Sequence, residues 1–372
     1  MRIKLIIFTI LLLVVSCGRK SQQRTPVTTN EPELATQTHS DTVKIRMLGD
    51  IMMHAKQIEL ACRKDSTYDF SSYFSIIKDS LRQADICIAN LEFPLAGEPY
   101  TGYPTFSAPD CIVEYLDSCG IDVLLCANNH IYDKGSQGAA RTIKTIHTLA
   151  PSIKICGLAS DSTHLKQTTP LILDAKGMKI SLVNFTYGTN IGADKYWPKT
   201  NYMSNKALIS DALAKAAETD LTIALPHWGD EYTFTPSESQ RNTAIWLAEK
   251  GADVIIGTHP HVPQPLDTLT EKKIPVAYSL GNAVSNMSAA NTQMELMATI
   301  RVVKHGDGRI ELLPIYFTYL WCSRPGGFGE SYTVIPVMHF IDKKDKWAGA
   351  WDYDKMITTY KRVKDSIKIE DR

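Results

Sequence analysis

Charge of one sign is what this sequence lacks most plainly. Forty Lys and Arg stand against 40 Asp and Glu, and no basic run is long enough to track a phosphate backbone, so nucleic acid is excluded as an expected partner. There is also no C-x-x-C pair. Beyond Cys17 the cysteines are Cys62, Cys87, Cys111, Cys119, Cys126, Cys156 and Cys322, an odd set without the spacing of a disulfide framework or a zinc ribbon. Cys87, Cys126 and Cys156 lie in apolar runs and read as small buried hydrophobes, whereas Cys111 and Cys119 are close enough to pair. No G-x-S-x-G elbow occurs, and neither a repeat nor a Pro-rich linker divides the chain. Long apolar runs are missing except for "LIIFTILLLVV" near the start, which is too short to span a membrane comfortably.

That one run has a context. Arg2 and Lys4 precede it and "VVSC" closes it, the layout of a signal peptide. A cysteine at the end of the run resembles the lipobox of bacterial lipoproteins, which implies cleavage before Cys17 and lipidation there; the alternative is an ordinary signal with an incidental cysteine. Residues 18–41 are polar, rich in Thr and Gln and without periodicity, so they cannot bury enough surface to fold and read as a tether. The expected organisation is a signal peptide over 1–17, that tether, one α/β domain over 42–342, and a helical tail over 343–372 packed on the domain. The lipid places the chain at the cell envelope, outside the cytoplasm.

Within the domain, short strand-like runs alternate with helix-like stretches. "TVKIRMLGD", "DICIANLE", "DVLLCANN" and "SIKICG" are separated by candidate helices at 71–83, 111–117 and 136–150, an order that implies parallel pairing. After a strand pair at "PLILD" and "KISLVNFTY" come a helix at 205–217, "LTIALPH", a helix at 237–250 and "DVIIGTH". The last third is mainly strands, with "HGDGR" as a hairpin turn, and ends in a helix at 353–368.

In such a sheet, working side chains gather beyond the carboxyl ends of the strands. Those ends read Gly49-Asp50, Asn90-Leu91-Glu92, Asn128-Asn129-His130, Pro226-His227-Trp228 and Thr258-His259-Pro260-His261. Carboxylate, amide and imidazole donors in this mixture suit Zn, Mn or Fe better than a thiolate or all-oxygen site. One or two divalent ions are therefore expected. Extended backbone would point His259 and His261 the same way, with Pro260 stiffening the link.

The ordered set "MLGDIMMH", "ADICIANLEFPL", "GIDVLLCANNHIYDKG", "LPHWGDEY", "GADVIIGTHPHVPQP" and "YSLGN" resembles the capsule-synthesis CapA family, associated with poly-γ-glutamate and similar to calcineurin-like metallophosphoesterases. The resemblance covers about Lys44 to Val284. It implies a four-layer α-β-β-α sandwich of two mixed sheets with a metal site at their edges. By matching positions it implies metal ligands at Asp50, Glu92, Asn129, His227, His259 and His261, a general acid at His130 and its orienting partner at Asp133. Trp228, Glu231 and Tyr232 are candidate substrate contacts, as is His54, which could equally be a ligand or a surface residue. Two departures stand out: Met52 occupies a position that is usually histidine in the wider superfamily, and Glu92 replaces aspartate. The glycine-rich "RPGGFGE" at 324–330 reads as a flexible rim loop. The implied function is synthesis, processing or anchoring of poly-γ-glutamate or a related anionic extracellular polymer, beside membrane-embedded synthesis subunits and with a metal-dependent hydrolase site. The competing readings are a non-catalytic polymer-binding accessory with a degenerate site and a phosphoesterase unrelated to capsule.

Overall fold

The structure is a computed structural model that describes residues 41–192, 196–269 and 273–371. Cys17, the signal segment and the tether up to residue 40 lie outside those residues. Among the described residues no helix is long and apolar enough to cross a membrane.

Two mixed sheets face each other. The first runs in the order Thr333–Pro336, Tyr316–Ser323, Met294–Lys304, Asp41–Ile51, Ile86–Leu91, Val123–Leu125, Lys154–Cys156. Its last four strands are parallel, and Met294–Lys304 joins Asp41–Ile51 antiparallel. The second runs Leu266–Leu269, Ile274–Ala277, Val254–Ile256, Leu221–His227, Met178–Thr186, Leu171–Ala175, parallel in its centre and antiparallel at both edges.

Alternation along each strand builds the layers. Ile86 and Ile88 enter the cluster between the sheets with Ile45, Leu182, Ile223 and Ile256. Cys87 and Ala89, one residue out of phase, enter a second cluster with Ile112 and Leu116 of the helix Ile112–Ser118 and Ile143 and Ile146 of the helix Gly135–Leu149. On the far side, Val183, Ala224 and Ile255 meet Ile209 and Leu213 of the helix Lys206–Ala216 and Ala244 and Leu247 of the helix Glu238–Glu249. Helix, sheet, sheet, helix gives the four layers expected. Strands covered on both faces carry no polar face, which is why their sequences are nearly continuous apolar runs.

Two local expectations differ from the structure, and one question the sequence leaves open is answered. The helix expected over 71–83 reduces to Lys78–Arg82; ahead of it are i to i+3 turns such as Tyr73 N to Phe70 O and Ile77 N to Phe74 O. The Tyr73 carbonyl instead accepts from Val334 N at 2.8 Å. The terminal helix is Ala350–Ile367, with Met356, Tyr360, Val363 and Ile367 in the inter-sheet cluster at the spacing of one helical face. Cys111 and Cys119 are unpaired thiols, as are the other described cysteines, and Cys119 is buried.

Candidate metal centre

The parallel strands of both sheets finish at a common edge. Gly49 lets the first strand leave it closely packed, since a Cβ there would sit 1.9 Å from the Gly281 carbonyl. Asp50 then stands in register with Asn90 on one side and Asn282 on the other. Its Oδ1 accepts from Asn90 Nδ2 at 2.7 Å, and its Oδ2 accepts from the His259 backbone N–H at 3.2 Å. Asn90 also reaches Glu92 Oε2 at 3.3 Å, and Asn128 Nδ2 donates to Asn90 Oδ1 at 3.2 Å and to the Leu91 carbonyl at 2.8 Å. Two amides thus fix both carboxylates.

The imidazoles close the other side. His227 contacts Asn129 Oδ1 through Nε2 at 2.8 Å and Thr258 Oγ1 through Nδ1 at 2.9 Å. Its ring centroid lies 4.8 Å from that of His259, which lies 5.7 Å from that of His261. His261 donates from Nδ1 to Asn282 Oδ1 at 2.9 Å, with Asp50 Oδ2 at 3.4 Å. The segment carrying the pair is not extended. His259 has φ 99° and His261 φ 59°, conformations that cost a non-glycine residue roughly 1–3 kcal/mol and persist only where the surroundings enforce them. The pull of Asp50 on the His259 N–H and of Asn282 on the His261 ring supplies that enforcement, so the two rings meet through a turn and not through strand alternation.

Burial sets the protonation states. Asp50, Glu92 and His227 have no exposed surface, and His259 and His261 have almost none. Burial, with Asp50 beside it, pushes Glu92 well above the carboxylate range. Burial and neighbouring histidines push His227 and His259 well below the imidazole range, so both are neutral, as metal ligands must be. For His261 burial acts downward, yet its contact with Asp50 leaves the group raised.

These residues fit a cation. Among the described residues Glu92 Oε1 and His259 Nδ1 are buried without a hydrogen-bond partner, a costly state unless something else satisfies them. One potential ligand atom each from Glu92, His259 and His261 lie within 4.8 Å of one another, and the same holds for Asp50, Glu92 and His227. Glu92 belongs to both groups, and oxygen with imidazole suits a divalent transition metal. Asn129 sits against His227 and is placed to join them.

His130 lies beside this cluster. Its Nδ1 is 2.7 Å from Asp133 Oδ2, which also accepts from Phe106 N at 2.8 Å, and the Phe106 ring meets the imidazole edge-on at 4.7 Å. Tyr232 stacks on His261 at 6.0 Å, while Glu231 Oε1 is 4.0 Å from His261 Nε2; both side chains are partly exposed, at the mouth of the cluster. His54 accepts from Asn286 N at 3.2 Å and meets the Phe106 ring edge-on at 5.4 Å. Burial lowers it to about 4, and it belongs to neither ligand group.

Trp228 does not face the site. It is buried among Val183, Phe185 and Tyr278, and its indole N–H donates to the Tyr278 carbonyl at 2.9 Å; the polar atom of a buried indole needs such a partner, so a residue expected at the rim is core. Met52 is buried in the apolar cluster beneath the helices and offers no nitrogen or oxygen from its side chain. The 324–330 segment is tied down, its Gly327 carbonyl accepting from Gly349 N at 2.8 Å and Phe328 N donating to Ser323 Oγ at 2.8 Å. Three site residues escape the sequence reading. Asn90 stands at a strand end already noted, but an amide between two acids gives no separate signal. Tyr187, whose ring lies 4.6 Å from that of His259, and Asn190, whose Nδ2 lies 3.4 Å from His130, follow the strand Met178–Thr186, an exit that the strand-end rule would reach.

The family described as bacterial capsule synthesis protein PGA_cap matches residues 44–287. The capsule biosynthesis protein CapA of Bacillus anthracis is 27% identical over 322 residues, covering 83% of this chain and 74% of its own length. The PGA biosynthesis protein CapA of Bacillus subtilis (strain 168) is 27% identical over 290 residues, covering 75% and 73%. Among solved structures, a 5'-nucleotidase precursor from Thermus thermophilus is similar with a TM-score of 0.47 at 12% identity, covering 87% of this chain and 59% of that one. A likeness of that size carries no weight for function.

Proposed function

The chain belongs to the bacterial capsule synthesis protein PGA_cap family, and we propose on that premise that it acts in the synthesis, processing or anchoring of poly-γ-glutamate or a related anionic capsular polymer, through a metal-dependent hydrolase site. The names of its two Bacillus relatives support the capsule and polymer part of this reading. The site rests on one observation above others: among the described residues two buried ligand atoms, Glu92 Oε1 and His259 Nδ1, lack a hydrogen-bond partner, and both belong to groups that share Glu92.

Asp50, Glu92, His227, His259 and His261, with Asn129 adjacent, would hold one or two divalent ions of Mn, Zn or Fe. Such an ion supplies Lewis-acid polarisation of a phosphoryl or amide oxygen. The chain's own groups do the rest. Asp133 engages Nδ1 of His130 and so leaves Nε2 to pass a proton to a leaving group. Glu231 and Tyr232 line the mouth where an acidic chain would enter. A lipid on Cys17 would hold this domain at the envelope, outside the cytoplasm, next to membrane-embedded synthesis subunits.

The test is elemental analysis of the full chain purified without chelator, beside His259→Ala/His261→Ala, followed by hydrolysis assays on phosphoester and γ-glutamyl amide substrates. About two equivalents of metal, lost in the double variant together with hydrolysis, is the expected result. Full hydrolysis retained by the double variant would remove the assignment.

A second reading is a non-catalytic accessory that binds the growing polymer. Met52, buried in apolar surroundings where the wider superfamily usually has histidine, favours it. Little metal in either protein, with polymer captured at unchanged chain length, would select this reading.

A further inference from the structure

A cavity of about 530 Å³ lies between the segment 288–293 and one face of the helix Ala350–Ile367, and none of its lining residues belongs to the histidine and carboxylate cluster. Lys355, Thr359 and Arg362 recur at i, i+4 and i+7 and so share that face; all three line the cavity. Lys355 donates to Gln293 Oε1, and Arg362 Nε donates to Asn291 Oδ1 at 2.8 Å. Both acceptors are neutral amides. The carboxylate in the lining, Asp354, is taken by Lys344 at 2.7 Å, and among the described residues neither Lys355 nor Arg362 has a salt-bridge partner. Burial, and then the nearby Arg324, hold the Lys355 ammonium below its ordinary value against the upward pull of Asp352.

Seven residues separate the two cations, about 10 Å along the helix axis. One small anion fits such a pair poorly, whereas successive charges along one chain fit it well. We propose that this cavity binds an extended polyanion through Lys355 and Arg362. Resting on the polymer reading above, the chain it takes is poly-γ-glutamate, held by its carboxylates. The wall it would lie on also supports the metal centre: Asn282, which accepts from His261, donates to Ser285 Oγ and to the Thr292 carbonyl, each at 3.1 Å. Polymer gripped there rests on the segment that braces His261.

Fluorescence anisotropy of a labelled γ-linked glutamate oligomer on the full chain tests this, with polyphosphate and inorganic phosphate as parallel probes. Lys355→Gln/Arg362→Gln is expected to weaken binding at least about tenfold, because charge-assisted hydrogen bonds are lost. Thr358→Glu, which adds a negative charge to the lining while keeping both cations, should also weaken it and covers the case in which the double glutamine variant does not fold. Oligomer binding unchanged in both cavity variants overturns the proposal, as does wild-type protein that binds neither chain, or that binds single phosphate as tightly as a chain. Polyphosphate bound and lost in the cavity variants, with the glutamate oligomer never bound, keeps the cavity as a polyanion site and overturns the polymer reading.

Discussion

Asn282 shows how much a single amide carries at this edge. Its Oδ1 holds the His261 ring, while its Nδ2 is fastened to Ser285 and Thr292, so orientation of an expected ligand depends on a residue two positions beyond Leu280 in "YSLGN". Partners of this kind typically matter 10- to 100-fold for metal affinity. Asn282→Ala should therefore weaken metal retention by roughly that factor, read by competition with a chelator, and retention equal to wild type would show that His261 needs no brace. Trp228 is the opposite case. Its neighbours His227 and Gly229 suggest a working residue, but alternation along the strand exit turns it into the core, where it satisfies the Tyr278 carbonyl. Trp228→Phe leaves that acceptor unpaired and should cost about 1–3 kcal/mol of stability in urea unfolding, with metal content unchanged; metal loss without destabilisation would return Trp228 to the site.

Legibility differs from element to element, and the difference has a physical origin. Strands buried on both faces announce themselves as apolar runs, and their common carboxyl edge follows from parallel order; that reasoning brings Asp50, Glu92, Asn129, His227, His259 and His261 to one place. Long-range pairing is silent in sequence. Nothing near Tyr73 foretells that its carbonyl will accept from Val334, and so a helix is expected where turns form. Likewise the positive φ of His259 answers to Asp50, some 200 residues earlier. The same silence hides the neighbour of the first strand: Met294–Lys304 pairs with Asp41–Ile51 over seven residue pairs from Asp41↔Lys304 to Met47↔Ala298, although the family match stops at residue 287. A chain cut after 287 would leave that strand edge open and expose Ile45 and Met47 of the inter-sheet cluster. It should be insoluble or lack a cooperative thermal transition, and a soluble, cooperatively folding fragment would show that the strands beyond 287 are dispensable.

At the scale of the whole molecule, the facing sheets create an interior in which a few acids must stay neutral, and that sets how stability follows pH. Glu295, on the strand Met294–Lys304, is fully buried; its Oε1 accepts from Gly49 N at 2.5 Å, while its Oε2 has no hydrogen-bond partner among the described residues. Burial raises it to about 8. A carboxyl raised in the folded state binds its proton there while the unfolded chain, near 4.5, has already released it. The folded state is thus favoured at pH below about 4.5, and this contribution is lost as pH climbs through about 8. Glutamine at 295 keeps an oxygen for Gly49 and cannot ionise. In chelator, where no cation screens Asp50, Glu295→Gln should match wild type near pH 4.5 and exceed it near pH 8.5 by a few kcal/mol, on the order that a shift of this size sets. Thermal midpoints measured across that window decide it: curves that run parallel would mean that Glu295 is charged in the folded protein and that the Gly49 N–H outweighs its burial.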